Sequence, residues 1–266
     1  MSNGECDAMQ RNALYTILFA TAVCIICAIV VSSAAVSLKP AQDINAALEK
    51  QRNVLLAAGL LEAGEKVDAA EVQHRFDNIR MVVVNLETGE ENADIDPVTF
   101  DQARAAKDPA TSSVAPANRA LVQRLPDNVL VYEVLGDDGA EAIVLPIEGY
   151  GLWSTLYGFI ALDNDVDTVR GITFYQHGET PGLGGEVDNP KWKARWVGRK
   201  AFGDDGEPKI TVIKGPAGPP AEDPYRVDGL SGATLTARGV TNLVHFWLGD
   251  EVLGPYLKNL SQRRAT

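Results

Sequence analysis

From Ala13 to Leu38 the chain carries no charged residue. The centre of this run, ILFATAVCIICAIVV, is apolar apart from one threonine and two cysteines. A helix crossing the hydrocarbon core of a bilayer needs roughly 20 such residues. The run therefore reads as a transmembrane helix, with the bulk of the protein following it. A cleaved leader is the competing reading, because Ser32 to Ala35 supply the small residues found at cleavage sites. Against it, the run is long, and the only cation ahead of it is Arg11, with Glu5 and Asp7 nearby. The expectation is an uncleaved single-pass anchor. Its orientation stays open on charge, since Arg11 on one side opposes Lys39 and Lys50 on the other.

Cys6, Cys24 and Cys27 all precede Leu38, so the large C-terminal part has no disulfide in any compartment. Cys24 and Cys27 read as small residues compatible with a membrane, because two thiolates make only half of a tetrahedral metal site. No metal is expected in this chain. The net charge of -12 excludes nucleic acid, whose phosphates require clustered Lys and Arg. It also excludes adhesion to anionic lipid through a polybasic patch, leaving contact with lipid to the anchor. With 45% hydrophobic residues, a core forms without covalent staples.

The expected organisation is a tail (1–12), the transmembrane helix (13–38), a membrane-proximal region (39–124) and a C-terminal domain (125–266). Pro40 suits the first turn of a helix leaving the membrane, which breaks at Gly64. A short helix over 71–79 and a strand over 81–86 follow. Residues 95–120 lack a sustained period and read as an irregular insertion. VLVYEVL (129–135) and EAIVLPI (141–147) flank the turn GDDG, a hairpin pattern. TLYGFIALD (155–163) and VRGITFYQ (169–176) form a second pair, and KITVIKG (209–215) is a later strand. Residues 190–200 read as a helix in which Trp192 and Trp196 pack. Val240, Leu243, Val244, Trp247 and Leu248 give the stripe of an amphipathic helix over 236–248, with another over 254–260. The fold class is α+β: an antiparallel sheet packed with helices, preceded by one transmembrane helix.

Two segments carry chemistry. In DGLSGATLT, residues 228–236, small residues Gly232 and Ala233 and hydroxyls at Ser231, Thr234 and Thr236 lie where the amphipathic helix begins. A helix start offers free N–H groups and partial positive charge, which suit a phosphate. Hydroxyls that merely cap the helix explain the same residues. In HGETPGLGGEVDNPKW, residues 177–192, the glycines break regular structure and let backbone lie against a flat ring. An ordinary glycine-rich turn explains that spacing equally well.

The string S-G-A-T preceded by Asp228, with E-T-P-G-L-G some 50 residues upstream, resembles the covalent FMN-binding domain family. GYGLWSTLYG (149–158) is similar to that family's entry strand. The resemblance implies FMN esterified through its phosphate to Thr234, installed by a flavin transferase that uses FAD as donor. Ser231, Gly232, Ala233 and Asp228 match the motif, and Thr236 is its neighbour. Glu179, Thr180, Gly182, Leu183, Gly184, Tyr150, Gly151 and Trp153 are expected around the cofactor, with Glu179 bordering the flavin. The single span, the insertion and HGETPGLGGEVDNPKW together resemble the C subunit of the sodium-translocating NADH:quinone reductase. That implies an electron carrier working with partner subunits, which oxidise NADH and move sodium. It also implies the bacterial inner membrane, with the flavin domain, 125–266, on the periplasmic side. The G subunit of the Rnf electron-transfer complex shares both motifs and is the nearest alternative. Two readings from other classes remain. One is an anchored module that binds a ligand non-covalently. The other is a serine hydrolase, because GLSGA is one residue from a nucleophile elbow.

Overall fold

The computed structural model of the protein describes residues 3–136 and 139–264, with side chains from residue 14 onward. It divides into two compact units between Leu48 and Glu49. The first is the greater part of helix α1 (Asn3–Ala57). Leu14–Ala57 holds a stretch long and apolar enough to cross a membrane. Cys24 and Cys27 are exposed on it. Pro40 lies inside α1 instead of opening a new helix. Its ring removes one backbone N–H, and the good helix formers after it continue the helix regardless. The helix ends ahead of Gly59 (φ +70), earlier than the expected break at Gly64.

The second unit is built on a six-stranded antiparallel sheet in the order β2-β1-β5-β6-β7-β8. The strands are β1 (Ile79–Asn85), β2 (Glu90–Glu91), β5 (Asn128–Gly136), β6 (Gly139–Tyr150), β7 (Thr155–Asp163) and β8 (Val169–Gln176). The bounds of β7 and β8 are those expected, and β5 and β6 run slightly longer. Gly136 pairs with Gly139, as a hairpin requires; the two aspartates between them lie outside the described residues. Residues 95–120 are more regular than expected. They hold a short helix, α3 (Gln102–Lys107), and strand β3 (Ser112–Val114), which pairs with β4 (Arg124–Pro126). Asp101 caps α3 by accepting from the Arg104 N–H.

Successive side chains of a strand point to opposite faces, and both faces of this sheet are covered. On one, Ile143, Leu145, Ile147, Ile160 and Phe174 pack with Val240, Leu243, Val244 and Trp247 of α5 (Thr234–Leu248) and Leu257 and Leu260 of α6 (Gly254–Arg264). The Trp247 indole N–H donates to the Glu148 carbonyl at 2.7 Å, tying α5 to β6. On the other face, Tyr132 meets Phe76 of α2 (Ala69–Phe76) and Phe159 edge-on, at 6.0 and 5.8 Å between centroids. There the Thr173 hydroxyl donates to Asn53 at 3.0 Å, both groups being buried. A Cβ built on Gly171 would lie 2.4 Å from the Ala57 carbonyl, so the end of α1 approaches β8 as closely as backbone allows. Gly171→Ala is expected to destabilise the second unit by about 1–3 kcal/mol through this forced separation, seen as a lowered melting temperature of the purified protein.

Candidate functional site

Helix α5 begins at Thr234, one residue after Ala233, whose φ of -128° and ψ of 48° end the preceding turn without a side-chain cap. The first N–H groups of a helix have no intrahelical partner. Thr234, exposed, therefore stands among unpaired donors at the positive end of the helix dipole. The turn before it closes through the Ala233 N–H on the Leu230 carbonyl, 3.1 Å. Gly232 sits in this turn at φ +70°, a conformation that a side chain would strain. Asp228 fastens the motif from behind. Its carboxylate accepts from the Ala217 N–H at 3.0 Å and faces Arg195 at 3.5 Å, while its carbonyl accepts from the Trp192 indole at 2.8 Å.

The glycine-rich loop is organised by Glu179, which is 5% exposed. One carboxylate oxygen accepts from three consecutive N–H groups, of Leu152 (3.0 Å), Trp153 (2.9 Å) and Ser154 (3.2 Å). The other accepts from the Thr236 hydroxyl at 2.6 Å. Burial pushes this carboxyl up, but the Thr236 hydroxyl and the three N–H groups outweigh it and hold the pKa below the usual value. A side chain at Gly151 or Gly184 would enter this cluster, since a Cβ at either would lie 2.7 or 2.6 Å from a Glu179 oxygen. His177 steadies the loop. It accepts the Glu179 N–H on Nδ1 at 3.2 Å, so Nε2 carries the proton and donates to Asp188 at 2.7 Å. Ser154, not anticipated from sequence, accepts the Gly178 N–H on its hydroxyl at 2.6 Å.

Two surfaces flank Thr234. One is an apolar shelf. Leu183 approaches Gly232, Tyr150 and Gly151 abut Gly239, one turn on from the exposed Leu235, and the Tyr150 hydroxyl donates to the Trp153 carbonyl. Trp153 is 66% exposed. The other is a groove of about 520 Å³ between residues 211–215, the 229–232 turn and α5. Lys214 and Arg238 line it, and neither has an ion-pair or hydrogen-bond partner among the described residues. Both were absent from the expected site, although Arg238, four residues after Thr234, shares its helix face. The expected site residues thus fall into a turn at the helix start (Ser231 to Thr234), a shelf (Tyr150, Trp153, Leu183) and an internal frame (Asp228, Glu179, Gly151, Gly184, Thr236). Thr180 accepts the Gly185 N–H through its carbonyl at 2.9 Å, and Gly182 turns the loop at φ +75°. Among the described residues, no cluster of His, Cys, Asp and Glu could hold a metal ion. His245, the only histidine after Ser231, gives Nε2 to the Ile210 carbonyl at 2.6 Å. It is half-buried and engaged there, away from the role of a base for a serine nucleophile.

Residues 151–249 match the family model of the FMN-binding domain. The protein is 47% identical to the C subunit of the Na(+)-translocating NADH-quinone reductase of Pseudomonas aeruginosa, over 97% of its own length and 100% of that relative. It belongs to the NqrC family. The C subunit of the Yersinia pestis reductase is likewise 47% identical, over 93% of the present sequence and 92% of its own. The crystal structure of Shewanella oneidensis NqrC superposes with a TM-score of 0.74 at 35% identity, over 80% of the present sequence and 97% of that structure. The protein is therefore a subunit of a Na(+)-translocating NADH-quinone reductase, with an FMN-binding domain and one N-terminal candidate membrane helix.

Glu179 has a lowered pKa in the folded protein, so its contribution to stability is complete above the unfolded carboxylate value and is lost as pH falls through the lowered one. Acid unfolding of the wild type, followed by circular dichroism, should therefore show a limb below about pH 4.5. Glu179→Gln should lower stability at neutral pH and flatten that limb; an unchanged acid limb would contradict the assignment.

Proposed function

We propose that this protein carries FMN as a phosphoester on Thr234 and relays electrons between neighbouring subunits of the reductase. The observation that carries the reading is the exposed Thr234 hydroxyl at the start of α5, set between an apolar shelf and a groove holding unpaired cations. The donor set fits the group: free N–H groups, Lys214 and Arg238 for the phosphate, and Tyr150, Trp153, Leu183 and Leu235 for a flat aromatic ring. FMN, when bound, supplies reversible electron transfer.

The protein's own residues anchor and orient. For the attachment, Thr234 Oγ would accept the FMN phosphate from FAD in a reaction run by a flavin transferase, with AMP as the leaving group and the hydroxyl proton released. Lys214 and Arg238 offset the negative charge left on the phosphodiester. Glu179, with both oxygens already engaged, acts on the cofactor through the walls it holds. The flavin-carrying part lies within 125–266, whose sheet is completed by β1 and β2 from the preceding region. The match over nearly the whole sequence, insertion included, favours this complex over the Rnf assembly.

Intact-mass measurement and peptide mapping after co-expression with a flavin transferase test the attachment. The peptide holding Thr234 should gain FMN less one water, and Thr234→Ala should abolish the gain. An unmodified peptide from active, membrane-derived protein would leave the non-covalent module as the better reading. We further place the flavin domain on the periplasmic side. Ser261→Cys, at an exposed position, should react with a membrane-impermeant maleimide in cells with a permeabilised outer membrane; protection until lysis would reverse the orientation.

A further inference from the structure

We propose that Glu179 and Thr236 form an internal clasp that fixes the direction in which the Thr234 hydroxyl faces, making both positioning residues for its esterification. This rests on the reading of Thr234 given above.

Thr236 is fully buried, and its hydroxyl is committed to Glu179 at 2.6 Å. Residues two apart on an α-helix lie about 200° round its axis. Drawing Thr236 inward therefore turns Thr234 outward, where it is exposed. The bond sets the rotational phase of the first turn of α5, a place where no side chain caps the helix and fraying would otherwise be easy. It also removes one hydroxyl from competition, since the Thr236 proton already has an acceptor. The same carboxylate holds the N–H groups of Leu152, Trp153 and Ser154. The shelf turn and the helix start are thus referenced to one side chain. Gly184 admits the clasp: a Cβ there would lie 2.6 Å from both the Glu179 and the Thr236 oxygens.

Misplacing a reacting atom by about 1 Å costs up to roughly 100-fold in rate, so a loosened clasp should slow modification without removing the modified residue. The test uses the full-length protein, a purified flavin transferase and FAD, with the adduct on the Thr234 peptide followed by mass spectrometry over time. Melting temperature and near-ultraviolet circular dichroism report folding. Thr236→Val, which keeps the shape and loses the hydroxyl, should slow modification at least about tenfold. Thr236→Ser, which keeps the hydroxyl, should stay near the wild-type rate. Gly184→Ala, which pushes the partners apart, should be slowed as Thr236→Val is, and it decides the matter if Thr236→Val does not fold. A folded Thr236→Val modified at the wild-type rate, or a folded Thr236→Ser as slow as Thr236→Val, overturns the clasp. If the wild type itself gains no adduct on Thr234, the proposed function fails instead. A modified wild type with an equally fast Thr236→Val sinks the clasp alone.

Discussion

A carboxylate taken out of water must have its lone pairs answered, and the flavin-binding unit meets that demand at Glu179. Desolvation alone would favour the neutral acid. Three N–H groups from one turn and a hydroxyl from the first turn of a helix reverse the preference. Because each donor comes from a different stretch of sequence than the acceptor, satisfying one side chain brings 151–154, 177–185 and 234–239 into a single geometry. Removing any partner would leave a buried charge short of a donor, which costs more than the bond is worth when intact.

The rest of the unit supplies a platform stiff enough to make this geometry permanent. The β6–β7 connection, which carries the donor turn, joins two central strands paired from Ala142–Asp163 to Tyr150–Thr155. Helix α5 lies against β6, locked by the Trp247 indole and by Gly239, where a Cβ would lie 2.5 Å from the Tyr150 carbonyl. The end of β6 and the start of α5 therefore meet at one end of the central strands without freedom to separate. A site assembled on element termini gains the precision of the elements while leaving its hydroxyl in solvent.

Much of this was legible in the sequence wherever local pattern and tertiary context agree. TLYGFIALD and VRGITFYQ are apolar runs bounded by turn residues, and they are strands over those bounds. The stripe through Val240, Leu243, Val244 and Trp247 is the buried face of α5. Where context overrides pattern, expectation and structure part. KITVIKG is a strand only over Thr211–Val212, paired in parallel with Arg226–Val227, and its backbone bonds beyond that are irregular. The helix through Trp192, α4 (Pro190–Lys193), stops short of Lys200, although Trp192 and Trp196 still pack edge-on at 5.7 Å. Gly198 (φ +78°) and the Arg199 guanidinium, bonded to the Gly218 and Asp223 carbonyls, take the backbone elsewhere. At the site, residue types alone left Thr234 as either a cap or an anion site, and resemblance was needed to single it out. The Glu179–Thr236 bond was beyond reach, since it joins residues 57 apart that share no periodic pattern.

Attachment through a phosphate would solve a problem specific to a protein of net charge -12. A free anionic cofactor would be repelled by the overall field and held only by local contacts. The groove reverses the sign locally with Lys214 and Arg238 beside a helix start. A covalent bond at that point would make retention independent of affinity, and the contacts to the ring would then need to supply no binding energy. Tyr150, Trp153, Leu183 and Leu235 are then free to remain exposed. A ring tethered on such an open shelf would be within reach of both an electron donor and an electron acceptor, as the proposed relay needs.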